Sequence, residues 1–74
     1  MEKLFELLEE IDGDIDFKGC TTLIDDGILD SFAILEIVSE INEEFDVQIG
    51  ASDIVPENFN SAEAMMKMIQ RLQN

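Results

Sequence analysis

The sequence predicts a small all-α bundle for two reasons. Apolar residues recur at helical spacing in three segments, and further apolar residues recur along the long connection between the first two segments. The first segment has its apolar residues at i, i+3, i+4 and i+7, and it ends before Gly13, a typical helix stop. These apolar residues are Leu4, Leu7, Leu8 and Ile11.

The other two segments are also amphipathic. The second runs from about Ser31 to Phe45, and its apolar stripe covers about 100° of the helix surface. The stripe consists of Ile34, Ile37, Val38, Ile41 and Phe45. The third segment starts near Asn60, because Asn60 and Glu63 have the spacing of a capping box. Its stripe consists of Ala62, Met65, Met66, Ile69 and Leu72.

Residues 12–30 form an unusually long connection, since most helix–helix connections have roughly 2–8 residues. We expect its apolar side chains to pin this loop across the bundle. They are Ile15, Phe17, Leu23, Ile24, Ile28 and Leu29. After the second helix, we expect a short helical turn that starts at Ser52 or Asp53 and ends before Pro56.

The composition excludes several classes of function. The 74 residues include 18 Asp and Glu but only 4 Lys and Arg, and the net charge of -14 repels nucleic acids and anionic lipids. The chain has no histidine, so the usual general acid–base residue and most zinc sites are missing, and we expect neither an enzyme nor a metal site. No apolar run approaches the ~18–20 residues of a membrane-spanning helix, so we expect no membrane insertion.

The lone Cys20 cannot form an internal disulfide framework, which favours the cytoplasm. Because the chain starts at Met1 and contains no linker, we expect a discrete protein with a single domain over residues 1–74.

Ser31 is the residue whose position suggests a chemical role. Asp30 is a good N-cap, which places Ser31 in the first turn of the second helix. The N–H groups of a first turn have no intrahelical partner, and the helix dipole favours negative charge there. A phosphate ester on Ser31 would be stabilised at this position; taken alone, however, the serine also fits an ordinary polar residue at a helix start.

Phe32 and Leu35 lie off the apolar stripe of the second helix, so we expect them to be exposed beside Ser31. Carboxylates flank Phe32 on the same helix: Glu36, Glu40, Glu43 and Glu44. No Lys or Arg between Gly19 and Met66 balances the acids there, which favours a docking surface for a basic partner. A solvated acidic helix face is the alternative interpretation.

Four stretches of the chain carry a family resemblance. They are Gly27-Ile28-Leu29-Asp30-Ser31-Phe32, Glu36-Ile37-Val38, Glu43-Glu44-Phe45 and Asp53-Ile54-Val55-Pro56-Glu57-Asn58-Phe59. On these residues the chain closely resembles the acyl carrier protein family, over nearly its whole length. Members of that family are four-helix bundles with a short third helix, and they bear a 4′-phosphopantetheine arm on the serine of an Asp-Ser-Leu-like motif.

The resemblance implies a carrier rather than an enzyme. Ser31 would carry the arm, and Asp30 would assist the phosphopantetheinyl transferase that loads it, through the magnesium of that transferase. The partner-binding face would contain Phe32, Leu35, Glu36, Glu40 and Glu43. The carrier would hold an acyl or aminoacyl group as a thioester and present it to loading ligases and acyl-transfer enzymes with basic docking patches.

The residue after Ser31 bears on the cargo. Phe32 replaces the leucine that is usual in fatty-acid carriers, and Leu29-Asp30-Ser31-Phe32 is more similar to the D-alanyl carrier proteins of teichoic acid modification. Those proteins usually have a tryptophan where this chain has Phe59. A D-alanyl carrier is therefore an alternative to a carrier of other acyl or aminoacyl groups.

Other motifs favour structural explanations. Asp12, Asp14 and Asp16 have the spacing of a calcium loop, but Phe17 and Leu23 occupy its glycine and glutamate positions, so we expect a solvated loop.

Cys20 has no histidine to activate it, and we expect a half-buried structural cysteine. The methionines Met65, Met66 and Met68 indicate core packing rather than an exposed groove. The remaining rival from another class of protein is a small acidic helical adaptor or inhibitor without covalent modification.

Overall fold

The computed structural model describes residues 2–73, which form four α-helices and one 3-10 turn. Helix α1 spans Glu2–Ile11, α2 spans Ser31–Phe45, α3 spans Pro56–Phe59 and α4 spans Ala62–Gln73. The 3-10 turn, Ala51–Asp53, lies between α2 and α3. The predicted all-α fold is confirmed, with its long first loop and its short third helix.

Helix α2 begins and ends where local chemistry predicts. Asp30 has an extended backbone, and its Oδ1 accepts a hydrogen bond of 2.8 Å from the N–H of Ala33. At the other end Asp46 adopts a left-handed backbone with φ 52°, which terminates the helix. The predicted bounds of α2 are therefore confirmed.

The core consists of apolar side chains from the α-helices, the first loop and the segment after α2. Its buried members are Leu4, Leu7, Leu8, Phe17, Leu23, Leu29, Ile37, Ile41, Val47, Phe59, Ala62, Met65, Met68 and Ile69. No polar or charged residue within residues 2–73 is buried, so apolar burial is the main source of stability. Helix α1 packs against α2 and α4, and α3 packs against α4. Over this same range, no helix has the length and apolarity needed to cross a membrane.

The long first loop is pinned to this core, as predicted, but not by every expected residue. Phe17, Leu23 and Leu29 are buried, and Ile15 and Ile24 are half-buried against the core. Ile28 is 42% exposed, so its prediction as an anchor was wrong. It follows Gly27, which adopts a positive φ of 70° that turns the chain outward before α2.

The start of α4 differs from the expectation. Ser61, rather than Asn60, caps this helix, because Ser61 Oγ accepts a hydrogen bond of 3.0 Å from the N–H of Ala64. Asn60 instead bonds to the first loop, as described below. In the core, Met68 is fully buried and Met66 is only half-buried, so the buried stripe includes Met68, which the sequence pattern left out.

The segment between α2 and α4 also differs from the sequence-based expectation, at Pro56. The 3-10 turn ends before this proline, as predicted, but the proline itself then begins α3. The first position of a helix suits proline, since the N–H that proline lacks has no intrahelical partner there. Phe59 at the end of α3 is 1% exposed and anchors this short helix in the core.

Candidate functional site

Ser31 is the first residue of α2, and it is exposed. The Asp30 carboxylate satisfies the N–H of Ala33, so the first turn is formed without help from the Ser31 side chain. The hydroxyl of Ser31 therefore lies at the positive end of a helix dipole and faces solvent. A negatively charged substituent on this oxygen meets a favourable electrostatic environment.

The segment before Ser31 is held by hydrogen bonds rather than by regular structure. The carbonyl oxygen of Leu23 accepts from the N–H groups of Ile28 and Leu29, at 2.9 and 3.0 Å. The side chains of Leu23 and Leu29 are both buried. This turn leads the chain from the core to the exposed start of α2.

Gly27 is an exposed residue of that turn. Its φ of 70° suits glycine, and a Cβ built there meets no atom within 4 Å. The requirement for glycine is thus set by the backbone angle and not by contact with the rest of the chain.

Exposed large hydrophobic side chains surround Ser31 in the sequence. Phe32 is 78% exposed and Leu35 is 59% exposed, as their positions off the apolar stripe predict. Ile28 and Val55 are the other two such residues in the described part of the chain, at 42% and 37%. All four lie between positions 28 and 55, outside α1 and α4.

Sequence reasoning missed Ile28 and Val55 as exposed residues. Val55 is the N-cap of α3 and directly precedes Pro56, so its extended backbone lies outside the helix. That position was the only available signal, because a residue before proline avoids α geometry. Ile28 gave no signal, since its exposure depends on the path of the preceding turn.

The acidic residues on α2 do not all have the same environment. Glu36 and Glu43 are exposed, whereas Glu40 is half-buried. Glu40 and Glu44 line a small groove between α1 and α2 together with Lys3, Glu6, Leu7 and Glu10. The structure therefore places Glu36 and Glu43 freely in solvent and Glu40 at the edge that faces α1.

The carboxylates of Asp12 and Asp16 in the first loop accept hydrogen bonds from nearby main-chain N–H groups and so stabilise turns. Asp12 Oδ1 accepts from the N–H of Asp14 at 3.0 Å, and Asp16 Oδ1 accepts from the N–H of Gly19 at 3.1 Å. Among the residues that the structure describes, no three candidate ligands lie close enough together to hold a metal ion.

Cys20 and the methionines have structural surroundings. Cys20 is half-buried against the core, with its Sγ 3.8 Å from Thr22 Oγ1. Met65 and Met68 are fully buried, which confirms the expectation of core packing for these two side chains.

Comparison with known proteins agrees with this arrangement. A family model described as the phosphopantetheine attachment site matches residues 2–69. The chain is 36% identical over 63 residues to the "Probable acyl carrier protein PigG" of Serratia sp. (strain ATCC 39006), covering 84% of this chain and 72% of that protein.

Two further relatives are named D-alanyl carrier protein. That of Lactococcus lactis subsp. cremoris (strain MG1363) is 28% identical over 71 residues, covering 93% of this chain and 90% of its own length. That of Bacillus cereus (strain B4264) is 27% identical over 73 residues, covering 96% and 92%. The chain therefore belongs to the acyl carrier protein family and contains the domain at which 4′-phosphopantetheine is attached.

Proposed function

We propose that this chain carries an acyl or aminoacyl group as a thioester on a 4′-phosphopantetheine arm bound to Ser31. One observation above the others supports this assignment: Ser31 is an exposed serine at the N-terminus of a 15-residue helix, behind a properly formed cap. It also lies within the residues that the family model matches.

The surroundings of Ser31 fit such an arm. A phosphodiester carries one negative charge, which the N-terminal end of α2 stabilises. Ser31 itself is exposed, as is Phe32 directly after it. The bound arm supplies a thiol that holds the cargo as a thioester, and the protein contributes the attachment point and the recognition face.

Loading is a phosphoryl transfer in which coenzyme A is the donor. The Ser31 oxygen forms a new bond to the phosphorus that bears the pantetheine, and the bond from that phosphorus to the bridging pyrophosphate oxygen breaks. Adenosine 3′,5′-bisphosphate leaves, and the proton of the Ser31 hydroxyl passes to a base of the transferase.

The partner-binding face comprises Phe32, Leu35, Glu36, Glu40 and Glu43. Phe32 and Leu35 offer exposed apolar area, and the exposed Glu36 and Glu43 offer negative charge. A partner enzyme with an apolar pocket and a basic rim complements both properties. The phosphopantetheinyl transferase, a loading ligase and acyl-transfer enzymes are the partners that this face suits.

A D-alanyl group is the second candidate cargo. Relatives named D-alanyl carrier protein match more than nine-tenths of the chain. The stretch Leu29-Asp30-Ser31-Phe32 also resembles the D-alanyl carrier proteins. Loading with D-alanine or with fatty acids by the corresponding adenylating ligases distinguishes the two cargoes. We place the protein in the cytoplasm, because coenzyme A is the donor and its only cysteine is free.

The intact mass of the protein tests the attachment. Incubation with coenzyme A and a phosphopantetheinyl transferase should add one phosphopantetheine to the wild type and to Ser39→Ala, and none to Ser31→Ala. Ser39 is the matched control, because it is another exposed serine of α2. An unchanged mass of the folded wild type would instead favour the unmodified acidic adaptor.

A further inference from the structure

We infer that Asn60 is a positioning residue for Ser31, because Asn60 fixes the loop segment that directly precedes the start of α2. The inference rests on the proposed attachment at Ser31. Asn60 lies between α3 and α4, directly after the buried Phe59 and before the Ser61 cap, so it belongs to a well-anchored part of the fold.

Both the main chain and the side chain of Asn60 bond to the first loop. Its carbonyl oxygen accepts from the N–H of Leu23 at 2.9 Å. Its Oδ1 accepts from the N–H groups of Ile24 and Asp25, at 2.9 and 3.1 Å. Its Nδ2 donates to Asp25 Oδ2 at 3.2 Å. One residue thus holds three consecutive residues of the loop.

Leu23 connects this anchor to the helix start. The Leu23 carbonyl oxygen accepts from Ile28 and Leu29, and the Leu23 side chain is fully buried. Only Asp30 separates Leu29 from Ser31. These main-chain bonds connect Asn60 through Leu23 to Leu29, the last residue before the N-cap of α2. The Asn60 side chain acts on the same turn through Ile24, whose N–H it binds and whose carbonyl oxygen accepts from the N–H of Gly27 at 3.0 Å.

A loop of this length needs such an anchor to present a reacting group. Fixing the backbone costs conformational entropy at every residue, so residues 23–29 stay ordered only where bonds and burial offset that cost. A transferase needs the Ser31 oxygen at a defined place in the transition state, and a displacement of about 1 Å is enough to slow a reaction strongly. Loss of the Asn60 side chain should therefore reduce the rate of loading rather than the affinity for the transferase.

Steady-state loading kinetics of Asn60→Ala and Asn42→Ala test the inference. Asn42 is the matched control, because its Oδ1 also accepts a loop N–H, from Ile49 at 3.0 Å, at the other end of the bundle. In Asn60→Ala the kcat should fall about tenfold while KM stays within about twofold, because docking on α2 is unchanged. Asn42→Ala should keep both constants within about twofold of the wild type.

Amide hydrogen exchange provides a readout that does not involve loading. The N–H groups of Ile28 and Leu29 bond to Leu23 and not to Asn60. Their exchange should accelerate in Asn60→Ala, because that variant keeps the main-chain bond to Leu23 but frees Ile24 and Asp25 within the same turn. In Asn42→Ala it should stay unchanged, since Asn42 bonds to Ile49 instead. Unchanged protection of both groups in Asn60→Ala would overturn the inference.

Exchanging the amide of Asn60 and the carboxylate of Asp25 distinguishes loss of this contact from simple misfolding. Asn60→Asp keeps the acceptor oxygens but loses the amide donor and places a second carboxylate against Asp25, so loading should slow. Adding Asp25→Asn restores one amide and one carboxylate at this contact, and loading should recover. A double variant that is folded but as slow as Asn60→Asp would contradict the inference.

The two proposals fail in different ways. A wild type that loads on Ser31, with an Asn60→Ala variant of equal kcat, refutes the role of Asn60 and leaves the carrier function intact. A folded wild type that accepts no phosphopantetheine refutes both, whatever the exchange rates in the loop.

Discussion

Lys3 reaches across the bundle to Glu44, to whose main-chain carbonyl oxygen its Nζ donates a hydrogen bond of 2.7 Å. The same ammonium lies 3.9 Å from Glu44 Oε2 and 5.2 Å from the centre of the Phe45 ring. The start of α1 therefore supplies a cation to the last turn of α2, where the helix dipole is negative. In a chain of net charge -14, this contact joins two elements that would otherwise repel each other.

Replacing Lys3 should weaken the fold. Lys3→Met keeps the aliphatic stem but removes the hydrogen bond and the charge, and we expect a loss of about 1 kcal/mol in the free energy of unfolding. For a domain of this size the loss lowers Tm by about 4–8 °C. Lys67→Met is the control, because it removes the same charge from an exposed position on α4. Equal Tm values for the two variants would show that only net charge matters.

Asp30 should have two separable effects. Asp30→Ala removes the N-cap of α2 and should cost about 1 kcal/mol of stability, whereas Asp30→Asn should change stability by only a few tenths because asparagine caps equally well. Both variants should load phosphopantetheine slowly, since the resemblance assigns the Asp30 charge to the magnesium of the transferase. Thermal melts together with loading rates check this. Fast loading of Asp30→Asn would show that Asp30 acts only as the N-cap of α2.

Phe32 should contribute to partner binding, whereas Phe59 should contribute to stability. Phe32 is 78% exposed, so Phe32→Ala should leave Tm nearly unchanged while raising the KM of the transferase for the carrier. Phe59 is 1% exposed, and Phe59→Ala should cost about 3–5 kcal/mol, which is enough to unfold much of so small a domain. Circular dichroism and loading kinetics distinguish these effects. A large loss of stability in Phe32→Ala would argue against a docking role.

Divalent cations should stabilise the protein without a dedicated site. Millimolar Mg²⁺ or Ca²⁺ should raise Tm, because counterions screen the repulsion among 18 acidic residues. Calorimetry in increasing MgCl₂ measures this effect. A Tm that does not respond would show that charge repulsion does not limit stability.

Association with basic partners should weaken as salt rises. If the acidic face of α2 binds a basic patch as proposed, long-range attraction speeds the encounter, and dissolved ions screen this attraction beyond about 8 Å at physiological ionic strength. Stopped-flow association of the carrier with its transferase should therefore slow several-fold between low and high NaCl. A rate that is constant with salt would exclude electrostatic steering.

Local patterns predicted α2 well, since its cap, its apolar stripe and its end are all encoded within a few residues. Asn60 shows the limit of that reasoning. Its side chain could cap α4 or bond to a distant backbone, and the choice depends on where residues 24 and 25 lie in space. The exposed Ile28 was missed for the same reason, because the path of a long loop is set by tertiary contacts.

The methionines of α4 show a smaller limit of prediction from the sequence. At 100° per residue, Met68 lies about 60° from Met65 around the helix and Met66 lies about 100° away. Both belong to one broad apolar arc, and its edge at Met68 is the one that faces the core. The sequence pattern gives the arc, whereas the packing of α1 and α3 against α4 decides which edge is buried.

Fragmentation mass spectrometry of the loaded protein tests the central claim most directly, because it locates the added group on a single residue. After incubation with coenzyme A and a phosphopantetheinyl transferase, the peptide containing Ser31 should carry the phosphopantetheine on the Ser31 oxygen. A modification on Ser39, Ser52, Ser61 or either threonine, or an entirely unmodified digest from folded protein, would contradict the account.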